Sequence, residues 1–242
     1  MEPIRKEKDN RLIAMMQVRN EVGRYLEKVL TSLEMFADEI VIIDDASTDE
    51  TPDLCQSFKK VTKIEREKES LFGQEWKLRG KLWDLACSRE PDWILAIDAD
   101  EIFETRASKH IRNLIDQTDF DQVGFRFYDF WGSQTHYRSD HLWQLHQRYT
   151  PILIRYFPNY PCIYPQQNHH VPRLPISYLV LPSHCSDFRV KHLGWSGNEE
   201  ERRLKYERYI RIDPQGKWGN LEQYHSILDR NPNLLRWEEE TL

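Results

Sequence analysis

At 242 residues the chain has room for one α/β domain with a sizeable core. Its 34 basic and 40 acidic residues leave a net charge of −6, which argues against a general nucleic-acid binder, since such proteins carry a basic stripe. Cys55, Cys87, Cys162 and Cys185 are scattered and form no C-x-x-C pair, which argues against a disulfide framework or zinc ribbon and for four reduced thiols in a cytoplasmic protein.

The segment from Met1 to Asn10 is charged and contains no apolar signal segment, and no run approaches the ~20 apolar residues of a membrane span. Leu12 to Val18 is apolar except for Gln17, as expected of a strand covered on both faces. Asn20 offers an N-cap to a helix carrying Val22, Tyr25, Leu26, Val29, Leu30 and Leu33 at helical spacing. Glu39 to Ile43 predicts a second buried strand. It ends in the polar cluster Asp44 to Asp49, and Leu54 and Phe58 lie on the helix that follows. Val61 to Ile64 predicts a weaker strand, Trp76 to Ala86 a helix and Trp93 to Ile97 a fourth strand.

Strand and helix alternating at this rhythm imply a mostly parallel, Rossmann-like sheet with helices on both faces. Ligands on such sheets sit at the carboxyl ends of the strands. Three of those ends are polar: Gln17 to Glu21, Asp44 to Asp49 and Asp98 to Glu101. The second half is less regular. Val123 to Tyr128, Ile152 to Phe157 and Phe188 to Leu193 predict strands, and Asn198 to Ile212 a charged helix. With no repeat and no linker, a single domain spanning 1–242 is the simplest organisation.

Asp98-Ala99-Asp100 directly ends an apolar strand, where carboxylates cost folding energy unless they bind something. Hard oxygen ligands suit Mg²⁺ or Mn²⁺, which bind through one or two carboxylates plus substrate phosphates. The alternative is a helix N-cap by Asp100.

The run Asp38-Glu39-Ile40-Val41-Ile42-Ile43-Asp44-Asp45-Ala46-Ser47, the run Trp93-Ile94-Leu95-Ala96-Ile97-Asp98-Ala99-Asp100-Glu101 and the strand end Arg19-Asn20-Glu21 together resemble a family-2 glycosyltransferase. The likeness covers about Leu12 to Glu104. It implies a GT-A fold with a donor half (about 10–104) and an acceptor half (about 105–242). It also implies a nucleotide-sugar donor, a divalent Mn²⁺ or Mg²⁺ and inversion at the anomeric carbon. Asp45 would then accept a hydrogen bond from the nucleobase, with Asp44 supporting the loop. Gln17 and Arg19 lie where the family packs the base, and Glu21, at the same strand end, belongs to the donor-binding set the resemblance implies. Arg79 resembles the basic position of the family's R-N pair, although Gly80 follows it and a solvated helix arginine is the other account. Asp98 would touch the ribose and Asp100 the metal, with Ala99 between them.

His192 in Val190-Lys191-His192 follows a strand in the same way as a late histidine of some bacterial members, which implies a further metal ligand, and Lys191 and Lys205 would then reach the diphosphate. An inverting transfer needs a base for the acceptor hydroxyl. Asp140, Asp129 and His169 are the candidates, and Asp140 is preferred for its aromatic, histidine-rich surroundings. His169, His170, His184 and Cys185 match no zinc spacing.

A pyrimidine donor, UDP- or dTDP-linked, fits Asp45 as acceptor for an N3–H. The hydroxyl acceptor is a glycan, a glycolipid or a protein. A sugar-phosphate nucleotidyltransferase would want a glycine-rich loop after the first strand, where only Gly23 appears. A non-catalytic nucleotide-binding module is the remaining alternative.

Overall fold

The structure is a computed structural model that describes residues 5–240. Residues 1–4 of the charged N-terminal segment lie outside the described residues. In chain order the elements are β1 (Leu12–Val18), α1 (Leu26–Glu34), β2 (Glu39–Asp44), α2 (Thr51–Gln56), β3 (Val61–Arg66), α3 (Glu75–Cys87), β4 (Trp93–Ala96) and β5 (Glu101–Phe103). There follow α4 (Ala107–His110), β6 (Gln122–Trp131), β7 (His136–Arg138), β8 (Thr150–Arg155), β9 (Ser183–Trp195), α5 (Glu199–Ile212), α6 (Leu221–Ser226) and β10 (Leu234–Arg236).

The apolar runs of the first half become the centre of one sheet. The main path is β10-β7-β6-β8-β4-β1-β2-β3, and β9 pairs with both β5 and β6. The pairs β1–β2, β1–β4 and β2–β3 are parallel, so their carboxyl ends share one rim. The sheet turns antiparallel at β8, which lies between β4 and β6. Alternation explains why these strands read as unbroken apolar runs. Leu12, Ala14 and Met16 face one core layer with Leu26, Val29, Leu30 and Leu33 of α1. Ile13 and Met15 face the opposite layer with Leu78, Leu82 and Trp83 of α3. Burial of each such α1 side chain is worth about 1.5–3 kcal/mol.

Two expectations change. The first helix does not start behind Asn20: it begins at Leu26 after Tyr25, with no side-chain cap. Asn20 has a left-handed backbone, φ 52°, and its side chain serves a neighbouring loop instead. Asp100 caps no helix, because the chain turns and enters the short strand β5. The last long helix does carry the cap expected of its sequence. The Asn198 side chain accepts from the Glu201 N–H (3.0 Å), and Glu201 accepts from the Asn198 N–H (2.8 Å), closing a capping box.

Candidate active site

The three polar strand ends converge because the parallel register brings Gln17, Ile43 and Ala96 to the same edge. Cross-links then fix their loops. The Asn20 N–H donates to Ser47 Oγ (3.0 Å), and Asn20 Oδ1 accepts from the Thr48 N–H (2.8 Å). Asp44, fully buried, accepts from the Ser47 N–H (3.1 Å) and pairs with Arg66 (3.0 Å), so its charge is spent within the loop. Asp45 faces the cleft. Its Oδ2 accepts from Ser70 Oγ (2.6 Å), its Oδ1 accepts from the Leu71 N–H (2.6 Å), and Arg19 stands 3.5 Å away. These bonds hold Phe72 at the cleft wall, and each carboxylate oxygen keeps a further lone pair. Gln17 also lines this end, with its buried Oε1 lacking any partner.

The β4 end carries a buried charge network. Arg79 is 5% exposed and donates to Asp98 (3.3 Å) and to Glu75 (3.1 Å), so it is no solvated helix arginine. Arg173 approaches from the other side, 3.2 Å from Asp98 Oδ2, and forks onto both oxygens of Glu101. Burial alone would raise the Asp98 pKa. The guanidinium groups of Arg173 and Arg79 override it and hold that carboxyl at about 2. Asp98 is therefore ionised at every relevant pH, engaged by two cations.

Asp100 sits apart from this network, with His192 Nε2 3.8 Å from its Oδ1. His192 is the register partner of Asp129 on β6 and of Glu101 on β5. Its Nδ1 hydrogen-bonds Asp129 Oδ1 at 2.7 Å. Among the described residues, Asp100, Glu101 and His192 form the one cluster of metal-ligand type. Gly194 faces the same spot. A Cβ built there would lie 2.5 Å from Asp100 Oδ2, 2.7 Å from His192 Nε2 and 2.8 Å from Lys205 Nζ. The missing side chain thus leaves a cradle between a carboxylate, an imidazole and an ammonium group. A divalent cation with an attached phosphate fits that donor set. Glu101 adds little to it, because both its oxygens face Arg173. Lys205 Nζ donates to the Gly194 carbonyl (3.1 Å) and lies over the Trp195 ring at 4.0 Å. Burial lowers the Lys205 pKa, against the pull of the Asp100 charge. Burial also raises Glu21, at the same place, to about 7.

These groups line a cleft of about 720 Å³ that takes in Gln17, Arg19, Glu21, Asp45, Arg79, Asp98, Ala99, Asp100, Asp129, His169 and His192. Two expected residues stand elsewhere. Asp140 does not line the cleft: its carboxylate is taken by Arg138 Nε (2.6 Å) and the Leu142 N–H (3.1 Å). Lys191, which alternates with His192 along β9, pairs with Glu239 (2.6 Å) outside it. The histidine cluster also divides. His184 stacks on Phe120 at 4.7 Å, at the far end of β9, while His169 and His170 line the cleft.

His169 is 5% exposed, and neither ring nitrogen has a hydrogen-bond partner. Burial, with the nearby charges of His170 and Arg208, depresses its pKa to about 4. Arg173, Glu75, Phe72 and Arg208 also belong to the site and were missed in the sequence. Glu75 could have been found from its i, i+4 spacing to Arg79. Arg173 and Phe72 lie in segments without periodicity.

Three comparisons place this geometry among known proteins. The model of glycosyl transferase family 2 matches residues 14–168. An uncharacterised protein of Mycobacterium tuberculosis and one of Mycobacterium bovis are each 28% identical over 217 residues, 84% of this chain and 51% of theirs. The chain therefore spans about half the length of these curated relatives. The structure of S. aureus TarS residues 1–349 is similar at a TM-score of 0.52 and 18% identity, covering 90% of this chain and 69% of that one. The same protein in complex with UDP-GlcNAc gives 0.51 at 16% identity, covering 90% and 70%. At such identity the likeness is one of fold, and the fold is the mixed α/β GT-A architecture. No helix among the described residues is long and apolar enough to cross a membrane.

Proposed function

Since the chain belongs to glycosyl transferase family 2, we propose that it moves a sugar from a nucleotide-sugar donor to a hydroxyl acceptor with inversion, using Mn²⁺ or Mg²⁺ held by Asp100 and His192. The observation that carries this reading is the cradle at Gly194, where a carboxylate, an imidazole and an ammonium group converge on one point. A divalent cation held there by Asp100 and His192 would supply Lewis-acid neutralisation of the diphosphate leaving group.

The chain's own residues do the rest. Gln17, Arg19 and Asp45 hold the nucleobase end, with Asp45 accepting from a pyrimidine N3–H. UDP-linked and dTDP-linked donors both satisfy this, and the UDP-GlcNAc bound by S. aureus TarS supports the uridine form. Lys205 and Arg208, three residues apart on α5, face the cleft and stabilise the charge of the departing diphosphate. Asp98 positions Arg79 and Arg173.

The base is His169. Asp129 is occupied by His192, and Asp140 by Arg138. With a pKa of about 4, His169 is neutral at neutral pH, and since neither ring nitrogen is engaged, the one that carries the lone pair is free to accept a proton. The acceptor hydroxyl gives its proton to the imidazole as its oxygen bonds to the anomeric carbon. The bond from that carbon to the diphosphate breaks on the opposite face. Glu75, 3.9 Å from His169 Nδ1, stabilises the imidazolium that forms. Four free thiols, two of them exposed, support a cytoplasmic, reducing location.

Incubation with labelled nucleotide sugars, a panel of glycan, glycolipid and protein acceptors, and Mn²⁺ tests the reading. Release of nucleoside diphosphate with labelled acceptor is expected. Formation of nucleoside triphosphate and sugar phosphate, in a parallel incubation with added pyrophosphate, would replace it with nucleotidyl transfer, and binding without turnover would leave a nucleotide-binding module.

A further inference from the structure

His192 is held on both flanks by strand pairing, opposite Asp129 on β6 and Glu101 on β5. Around its ring stand Asp100 from the β4 turn and, across the cradle, Lys205 from α5. A neutral imidazole carries one N–H and one lone pair, and which nitrogen holds which is set by its partners. Asp129 Oδ1 lies 2.7 Å from Nδ1. A carboxylate only accepts, so it demands the proton on Nδ1 and leaves the lone pair on Nε2. Nε2 lies 3.8 Å from Asp100 Oδ1, beyond hydrogen-bonding reach. That spacing suits two ligands of one cation, which stand ~3–4 Å apart when each is about 2.1 Å from the metal. Asp129 is 3% exposed, so no bulk water is at hand to replace it.

We propose that Asp129 is a positioning residue that sets the His192 tautomer, so that Nε2 presents its lone pair to a divalent cation at the Gly194 cradle. The inference rests on the metal reading above and adds to it the group that makes His192 a competent ligand. Carboxylate–histidine–metal relays of this kind raise ligand basicity and fix ring orientation, and loss of the outer partner weakens metal binding about 10–100-fold.

The test uses the full chain with metal alone. In ¹⁵N-histidine-labelled protein at pH 8 with saturating Mg²⁺, His192, assigned by its loss in His192→Gln, is expected to show a protonated Nδ1 and an unprotonated Nε2. Asp129→Val removes the acceptor. Its Mn²⁺ affinity, read by electron paramagnetic resonance of the free ion, should fall about 10–100-fold, and the ring should lose its single Nδ1–H form. A wild-type ring protonated on Nε2, or Mn²⁺ binding to Asp129→Val within about twofold of wild type, would overturn the proposal. The wild-type spectrum decides the matter even if the variant fails to fold. Absence of Mn²⁺ binding to the wild type would instead bring down the metal reading itself, and with it this inference. A wild type that binds and a variant that binds equally well would remove the inference alone.

Discussion

The two walls of the cleft, donor and acceptor in the function proposed above, are built by different means. On the donor wall, parallel strands deliver Gln17, Asp45 and Asp98 to one rim, and short loops tie them with local hydrogen bonds such as Asn20 to Thr48. On the acceptor wall, His169 and Arg173 come from the stretch 156–182 between β8 and β9, which has no strand and is held by side chains such as Arg173 and by a few isolated backbone bonds such as Tyr156 to Asp92. Regular ladders position the donor groups to within a register step. The acceptor groups depend on a few long-range ionic and aromatic contacts, and substitutions there separate chemistry from binding more cleanly.

The largest separation is expected at His169. His169→Gln should lower kcat by ~10²–10⁴ while nucleoside diphosphate affinity stays the same, because the base acts only on the acceptor hydroxyl. Steady-state kinetics beside calorimetry checks it, and parallel losses in both would return His169 to the donor wall. The same histidine links pH to stability. Its folded pKa of about 4 lies below its ordinary value of about 6.5, so the unfolded chain binds more protons between them. Wild-type stability should therefore fall as pH drops through that window, and His169→Gln should flatten the fall in thermal melts.

Gly194→Ala comes next. The added methyl occupies the point shared by Asp100, His192 and Lys205, so metal-dependent diphosphate affinity should drop at least ~10-fold, as for a displaced metal shell. Calorimetry with Mn²⁺ and with chelator distinguishes this from general weakening. A smaller effect is expected at Asp45→Asn, about tenfold or less in donor affinity, since one oxygen acceptor survives the change. Equal binding of uridine, thymidine and guanosine diphosphates by both proteins would detach Asp45 from the base. The smallest effect belongs to Asp140→Asn: transfer should stay within about threefold of wild type, because the group pairs with Arg138 outside the cleft. A collapse of turnover there would move the acceptor wall toward β7.

The same contrast sets what could be read without a structure. β1, β2 and β4 were legible because both their faces are apolar, and the parallel rim followed from their spacing. β5, β7 and β10 span three residues each, too few for any period to show. Asn20 was misassigned because a cap and a left-handed loop residue draw on the same side-chain chemistry, and only the tertiary partner, Thr48, decides between them. Asp140 attracted attention through its aromatic neighbours, yet Trp131 and Trp143 flank the Arg138 guanidinium at 4.6 and 5.2 Å and hold it where it takes up that acid. Arg173 had no sequence signal, since its partners Asp98 and Glu101 lie more than seventy positions earlier.

That guanidinium has a consequence for motion. A stretch lacking backbone ladders ordinarily opens on its own, with amides that exchange early. Here, detaching Arg173 would strand Glu101, whose side chain is fully buried, without its counter-charge, and would leave Asp98 with Arg79 alone. Local opening of 156–182 is thereby coupled to disruption of the β4 turn, so the amides around Arg173 should exchange with those of the central sheet. The irregular wall of the cleft then belongs to the same cooperative unit as the strands it faces.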